Sequence, residues 1–97
     1  MKESGMILNN QKEFLKYLKS KFVLIHMSNI FFRDLHFGVM AYLRDHGVRV
    51  KYSAGDSISR EVAAGLEKSG ILKKIDHQSW LLLYPEFALP RIEKKAS

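Results

Sequence analysis

The run Trp80-Leu81-Leu82-Leu83-Tyr84 is apolar at every position. Side chains of a strand alternate between two faces, so a run apolar on both suits a central, covered strand better than an edge. Residues 71–75 read as the strand before it. The polar tetrad Asp76-His77-Gln78-Ser79 joins the two as a hairpin. A sheet of this kind needs a further strand and helices to cover it. At 97 residues, 46% of them hydrophobic, the chain has the length of one domain and the composition of a globular one.

The helices are legible from spacing. Residues 10–21 form a first helix, capped by Asn9 or Asn10, with Phe14, Leu15, Leu18 and Phe22 on one face. Lys12, Lys16 and Lys19 run beside that face as a solvated stripe. Residues 22–27 are a short buried strand or a continuation of the helix; periodicity does not decide between them. Ser28 or Asn29 caps a second helix over residues 30–46, closed by Gly47. Its apolar face holds Phe31, Phe32, Leu35, Val39, Tyr42 and Leu43. Residues 48–53 alternate, with Val48, Val50 and Tyr52 one way and Arg49, Lys51 and Ser53 the other, which reads as a half-buried strand. Ala54-Gly55-Asp56-Ser57 is then a turn ending in a cap. A third helix follows over residues 57–69, with Ile58, Val62 and Leu66 inward and Gly70 as its stop. Pro85 and Pro90 bracket an extended segment that packs through Phe87 and Leu89. The expected fold is α+β: three helices with a small, mainly antiparallel three-stranded sheet in a single domain, and loose ends at residues 1–9 and 91–97.

Charge is unevenly spread along a chain of net +6. Residues 1–21 carry five Lys against two Glu, and residues 68–97 six basic against three acidic groups. Residues 22–67 balance at five each. Basic ends around a neutral middle attract polyanions. The chain has no cysteine, which favours a reducing compartment, and a cytoplasmic location is expected. The apolar run Phe22-Val23-Leu24-Ile25 is far too short to span a membrane.

The stretch from Ser57 to Leu72 carries a further pattern. A serine-rich start, Ser57 and Ser59, is followed by Val62, then Leu66 four residues on, then Gly70-Ile71 entering a hairpin. This resembles the recognition helix and first wing strand of bacterial winged helix-turn-helix domains, over residues 57–84. The resemblance implies that the exposed N-terminal side of the third helix enters a major groove. Ser57, Ser59 and Arg60 would then reach bases or phosphates, while Lys73, Lys74, His77 and Gln78, on or near the wing, would touch backbone phosphate or the minor groove. It also implies that the strand of residues 48–53 lies beside residues 80–84. DNA, or less readily RNA, is the expected partner.

Other readings compete for individual residues. Arg33, Phe37, Met40 and Arg44 form a stripe outside the main apolar face of the second helix. Packing within the chain ranks first for it, a homodimer seam second and nucleic acid third. The four histidines, at positions 26, 36, 46 and 77, are never one helical turn apart and no cysteine joins them, so no metal site is expected. Glu93-Lys94-Lys95 sits in a terminal tail without the second carboxylate that a magnesium-dependent nuclease needs. No local cluster suits catalysis and no phosphate loop exists, so neither an enzyme nor a cofactor is expected. The alternative to nucleic-acid binding is a protein-interaction or dimerisation module.

Overall fold

A computed structural model describes residues 2–88. Leu89, Pro90 and the tail of residues 91–97, with Glu93, Lys94 and Lys95, lie outside the described residues. The elements in order are α1 (Lys2–Leu8), α2 (Gln11–Lys21), β1 (Asn29–Phe31), α3 (Phe32–Asp45), α4 (Tyr52–Lys68), β2 (Leu72–Asp76), β3 (Ser79–Leu82) and a 3-10 turn at Pro85–Phe87. The fold is α+β, and the three antiparallel strands lie in the order β1-β3-β2.

The central strand is β3, as its apolar run requires. Ile30 of β1 and Lys74 of β2 both pair with Trp80, and Leu72 pairs with Leu82. The inner sheet face thus presents Ile30, Trp80, Leu72 and Leu82, all buried, to the helices. Three helix stripes share one core with it: Phe14, Leu15 and Leu18 of α2; Leu35, Val39, Tyr42 and Leu43 of α3; Ile58, Val62 and Leu66 of α4. These are the inward faces that 3.6-residue spacing marks, except that Phe31 lies in β1 and is 53% exposed, and Phe22 falls just past the end of α2.

The strand on the far side of β3 is not the expected one. Residues 48–51 alternate in burial, half-buried at Val48 and Val50 and exposed at Arg49 and Lys51, yet they pair with no strand. They are an extended connection, and the edge of β3 is taken by Asn29–Phe31. Alternation reports an extended backbone lying on a surface; it does not report a hydrogen-bonding partner. Tyr52 and Ser53 belong to α4, which starts five residues before the expected Ser57. Ala54-Gly55-Asp56 is therefore helix rather than turn. A Cβ at Gly55 would lie 2.2 Å from the Met40 sulfur and 3.0 Å from His36 Nε2, so the glycine is there for the crossing of α4 over α3.

The N-terminal residues are not loose but helical. Ile7 of α1 is fully buried, and the Ser4 hydroxyl donates to Glu61 of α4 at 2.7 Å. An isolated seven-residue helix containing Gly5 is marginal, so contact with α4 holds α1 in place. Asn10 flanks α2, but its side-chain amide donates to the Met6 carbonyl of α1 rather than capping. Residues 22–28 are neither helix nor strand. They run extended from α2 into a turn at Ile25–Ser28, where Met27 takes a φ of +72° and bonds to the end of β3 through its backbone N–H. The first turn of α3 likewise lacks a side-chain cap; Phe32 N–H donates to the Gln78 carbonyl at the hairpin tip. Gly47 and Gly70, at φ +79° and +82°, follow the ends of α3 and α4 as expected. Phe87 is buried as expected, but in a 3-10 turn rather than an extended segment.

Tyr17 of α2 donates its hydroxyl to Asp45 of α3 at 2.6 Å. Burial, with the bond to Asp45 and its charge, pushes the phenol from 10.0 up to about 12. A group protonated more tightly in the folded state loses its contribution as pH rises through that interval. Stability should therefore fall between pH 10 and about 12. Urea titrations should show a shallower fall for Tyr17→Phe, with a residual slope because burial also raises Tyr42 and Tyr84. An unchanged slope would remove Tyr17 from the linkage.

Candidate nucleic-acid interface

The outward side of α4 and the β2–β3 hairpin form one surface. On α4, Gly55, Ile58, Ser59, Val62, Ala63 and Leu66 face the core. The opposite side carries Ser53, Ser57, Ala64 and Lys68, all exposed. Its small side chains leave the helix backbone accessible. The register follows from periodicity, and it separates the two serines that sequence alone grouped together. Ser57 lies in solvent, whereas Ser59 is fully buried and is withdrawn from any ligand. Ser57 does not cap the helix either; Lys51 occupies that position.

Arg60 is spent within the protein. Its guanidinium carbon lies 3.8 Å from the centroid of the Phe32 ring, and Nη1 donates to the His77 carbonyl. One side chain thus ties α4 to the start of α3 and to the hairpin tip, through a cation–π contact of about 0.5–2 kcal/mol. A guanine contact would have to break both interactions.

The hairpin turns through two residues, His77 and Gln78, both exposed. Asp76 shapes the turn by accepting from Gln78 N–H at 2.8 Å and from the Ser79 hydroxyl at 3.0 Å. The same bonds hold its carboxyl below the usual range. The carbonyls of His77 and Gln78 are taken by Arg60 and Phe32, so the tip is pinned at the level of the first residue of α3. Lys73 and Lys74 are exposed but project to opposite faces of β2. Lys74 pairs with Trp80 on the helix side, and Lys73 with Leu81 on the other.

The acids of α4 are partly occupied. Glu61 accepts from Ser4, and Glu67 accepts from Trp80 Nε1 at 2.8 Å. At the true start of the helix stand Lys51, Tyr52 and Ser53, all exposed. Sequence reasoning missed them because the helix was begun at Ser57. The signal was present: the inward spacing of Ile58, Val62 and Leu66 continues back to Gly55.

The Arg33, Phe37, Met40 and Arg44 stripe lies along the open side of α3. Phe37 meets Phe22 edge-to-face at 5.8 Å but stays 56% exposed. Packing within the chain accounts for only part of the stripe. Among the described residues no group of three or more His, Asp or Glu side chains could hold a metal ion. Among them, too, no helix is long and apolar enough to cross a membrane. No family model, curated protein or solved structure matches the chain.

Proposed function

We propose that this protein is a non-enzymatic winged helix-turn-helix module that binds nucleic acid, DNA foremost, through the outward side of α4 and the hairpin. The observation that carries the reading is the order of elements. A short strand precedes a helix pair, a hairpin follows it, and the first strand lies against the second hairpin strand. The resemblance requires a strand beside the second hairpin strand; Asn29–Phe31 fills that place instead of residues 48–53, which leaves α4 as the groove-facing helix. The contact set differs from the one expected. Lys51, Ser53 and Ser57 face the groove, with Lys74, His77 and Gln78 beside them, while Ser59 and Arg60 hold the fold. The short, pinned hairpin favours a second reading, a protein-interaction module that keeps the same architecture without a reaching wing.

Anisotropy titration of a mixed-sequence duplex at two salt concentrations tests the first reading. Binding should weaken steeply with salt, because each phosphate neutralised releases condensed counterions. Lys74→Ala should flatten the logarithmic salt slope by about one unit. Lys73→Ala, on the other sheet face, should flatten it less. Arg60→Ala should lower the melting temperature rather than relax preference at one base. Wild-type affinity no tighter than the ordinary non-specific range, about 10⁻⁴ to 10⁻⁶ M, with no sequence enriched from a random library, would transfer first place to the interaction module.

A further inference from the structure

Phe37 and Met40 lie in an open groove that runs the length of α3. One cavity of about 300 Å³ lies between α3 and Tyr52 at the start of α4. A second, of about 310 Å³, lies between α3 and the connection at Val48 and Val50. Met40 and Arg44 line both, so the two adjoin. The floor is apolar: Phe37, Met40, Val48, Val50 and Tyr52. Tyr52 is 71% exposed and Phe37 56%, a concentration of open aromatic surface that isolated exposed residues do not make.

The rim is cationic. Arg33, Arg44 and Arg49 are all exposed. Among the described residues, Arg33 and Arg49 have no carboxylate within 4.0 Å, and Arg44 has only Asp45 at 3.7 Å. Asp45 is itself held by the Tyr17 hydroxyl. Neither Asp34 nor Asp56 forms an ion pair with these arginines.

We propose that this groove docks an acidic amphipathic peptide segment of a partner protein. Its apolar side chains would lie on Phe37, Met40 and Tyr52, and its carboxylates on Arg33, Arg44 and Arg49. Charge decides among the occupants. A second copy in a two-fold contact brings the same rim to both sides, arginine against arginine, so the homodimer seam expected for this stripe is disfavoured. A nucleic acid would satisfy the arginines but set a sugar-phosphate backbone over an apolar floor. An acidic segment with apolar anchors satisfies both. From Arg33 to Arg44, α3 rises about 16 Å, room for a docked helix of about three turns.

The test pans a displayed library of random 16-residue peptides against the intact protein. Enriched peptides should carry Asp or Glu flanking Leu, Phe, Trp or Ile. As synthetic peptides they should bind wild type at least about tenfold tighter than twins with every acid replaced by Lys. Phe37→Glu and Arg33→Glu, checked for an unchanged melting temperature, should each weaken binding about tenfold. Both residues are exposed, so the fold survives either change; should one fail to fold, the other decides. The proposal is overturned by enrichment without acidic bias, by no enrichment, or by binding indifferent to both substitutions. It is equally overturned by sedimentation showing a dimer that Phe37→Glu dissociates, or by duplex DNA displacing the peptide with the same dependence on Phe37.

Discussion

Replacing Trp80 with alanine should cost about 3–5 kcal/mol, the range for truncating a buried aromatic. Its side chain is 2% exposed. It stands in the middle of β3 between Ile30 and Lys74, packs near Phe32 with ring centroids 6.3 Å apart, and donates Nε1–H to Glu67 of α4. The one residue therefore joins all three strands to the start of α3 and the end of α4. A domain of this length is stable by roughly 5–15 kcal/mol, so the loss is about a fifth of the total or more. Trp80→Phe should cost less, because it keeps most of the apolar surface and forfeits one hydrogen bond of about 1 kcal/mol. Urea titration followed by far-ultraviolet circular dichroism is the measurement, since Trp80 is the only tryptophan and its fluorescence is lost with it. A loss below about 1 kcal/mol would show that the sheet and α4 are held together elsewhere.

Gly38→Val should be comparably severe, at roughly 3 kcal/mol or more, at the upper end of overpacking costs. A Cβ at position 38 would lie 2.0 Å from Leu18 Cδ2. Leu18 is 2% exposed, so its methyl has no free space to enter. Gly38→Ala sets a gain in helix propensity of about 1 kcal/mol against that clash. The sharper experiment is the cycle of Gly38→Ala with Leu18→Ala. Leu18→Ala alone should open a cavity costing about 2–5 kcal/mol, and the new methyl at position 38 should partly fill it. The double variant should then be more stable than the sum of the singles by about 1 kcal/mol or more. Simple additivity would mean that α2 and α3 separate to admit the methyl.

The α3–α4 pair shows how far the chain can be read before it is folded. The inward faces of both helices, the stops at Gly47 and Gly70, the hairpin and the central place of β3 all follow from local rules: periodicity, the left-handed preference of glycine, and a run apolar on both faces. The same rules misplaced the start of α4. Gly55-Asp56 has the composition of a turn, and only the approach of Met40 and His36 makes a glycine the residue that a helix needs there. They also chose the wrong partner for β3. Residues 48–51 alternate better than residues 29–31, but pairing depends on where the chain lies after α3 has packed.

The same division runs through the candidate surfaces. Sequence by itself determined that Ser57, Lys73, Lys74, His77 and Gln78 are polar groups on or beside a helix and its hairpin, because polarity and period are local. It also marked Arg33, Phe37, Met40 and Arg44 as a second stripe on one helix. Only the tertiary structure decided that Ser59 is buried, that Arg60 clips α4 to Phe32 and His77, and that Lys73 and Lys74 part to opposite faces. Only it decided, too, that the arginine stripe opens onto an apolar groove completed by Tyr52, Val48 and Val50. Each of these depends on contacts between residues far apart in the chain, and their geometry is set by how helices and sheet pack rather than by the order of neighbouring side chains.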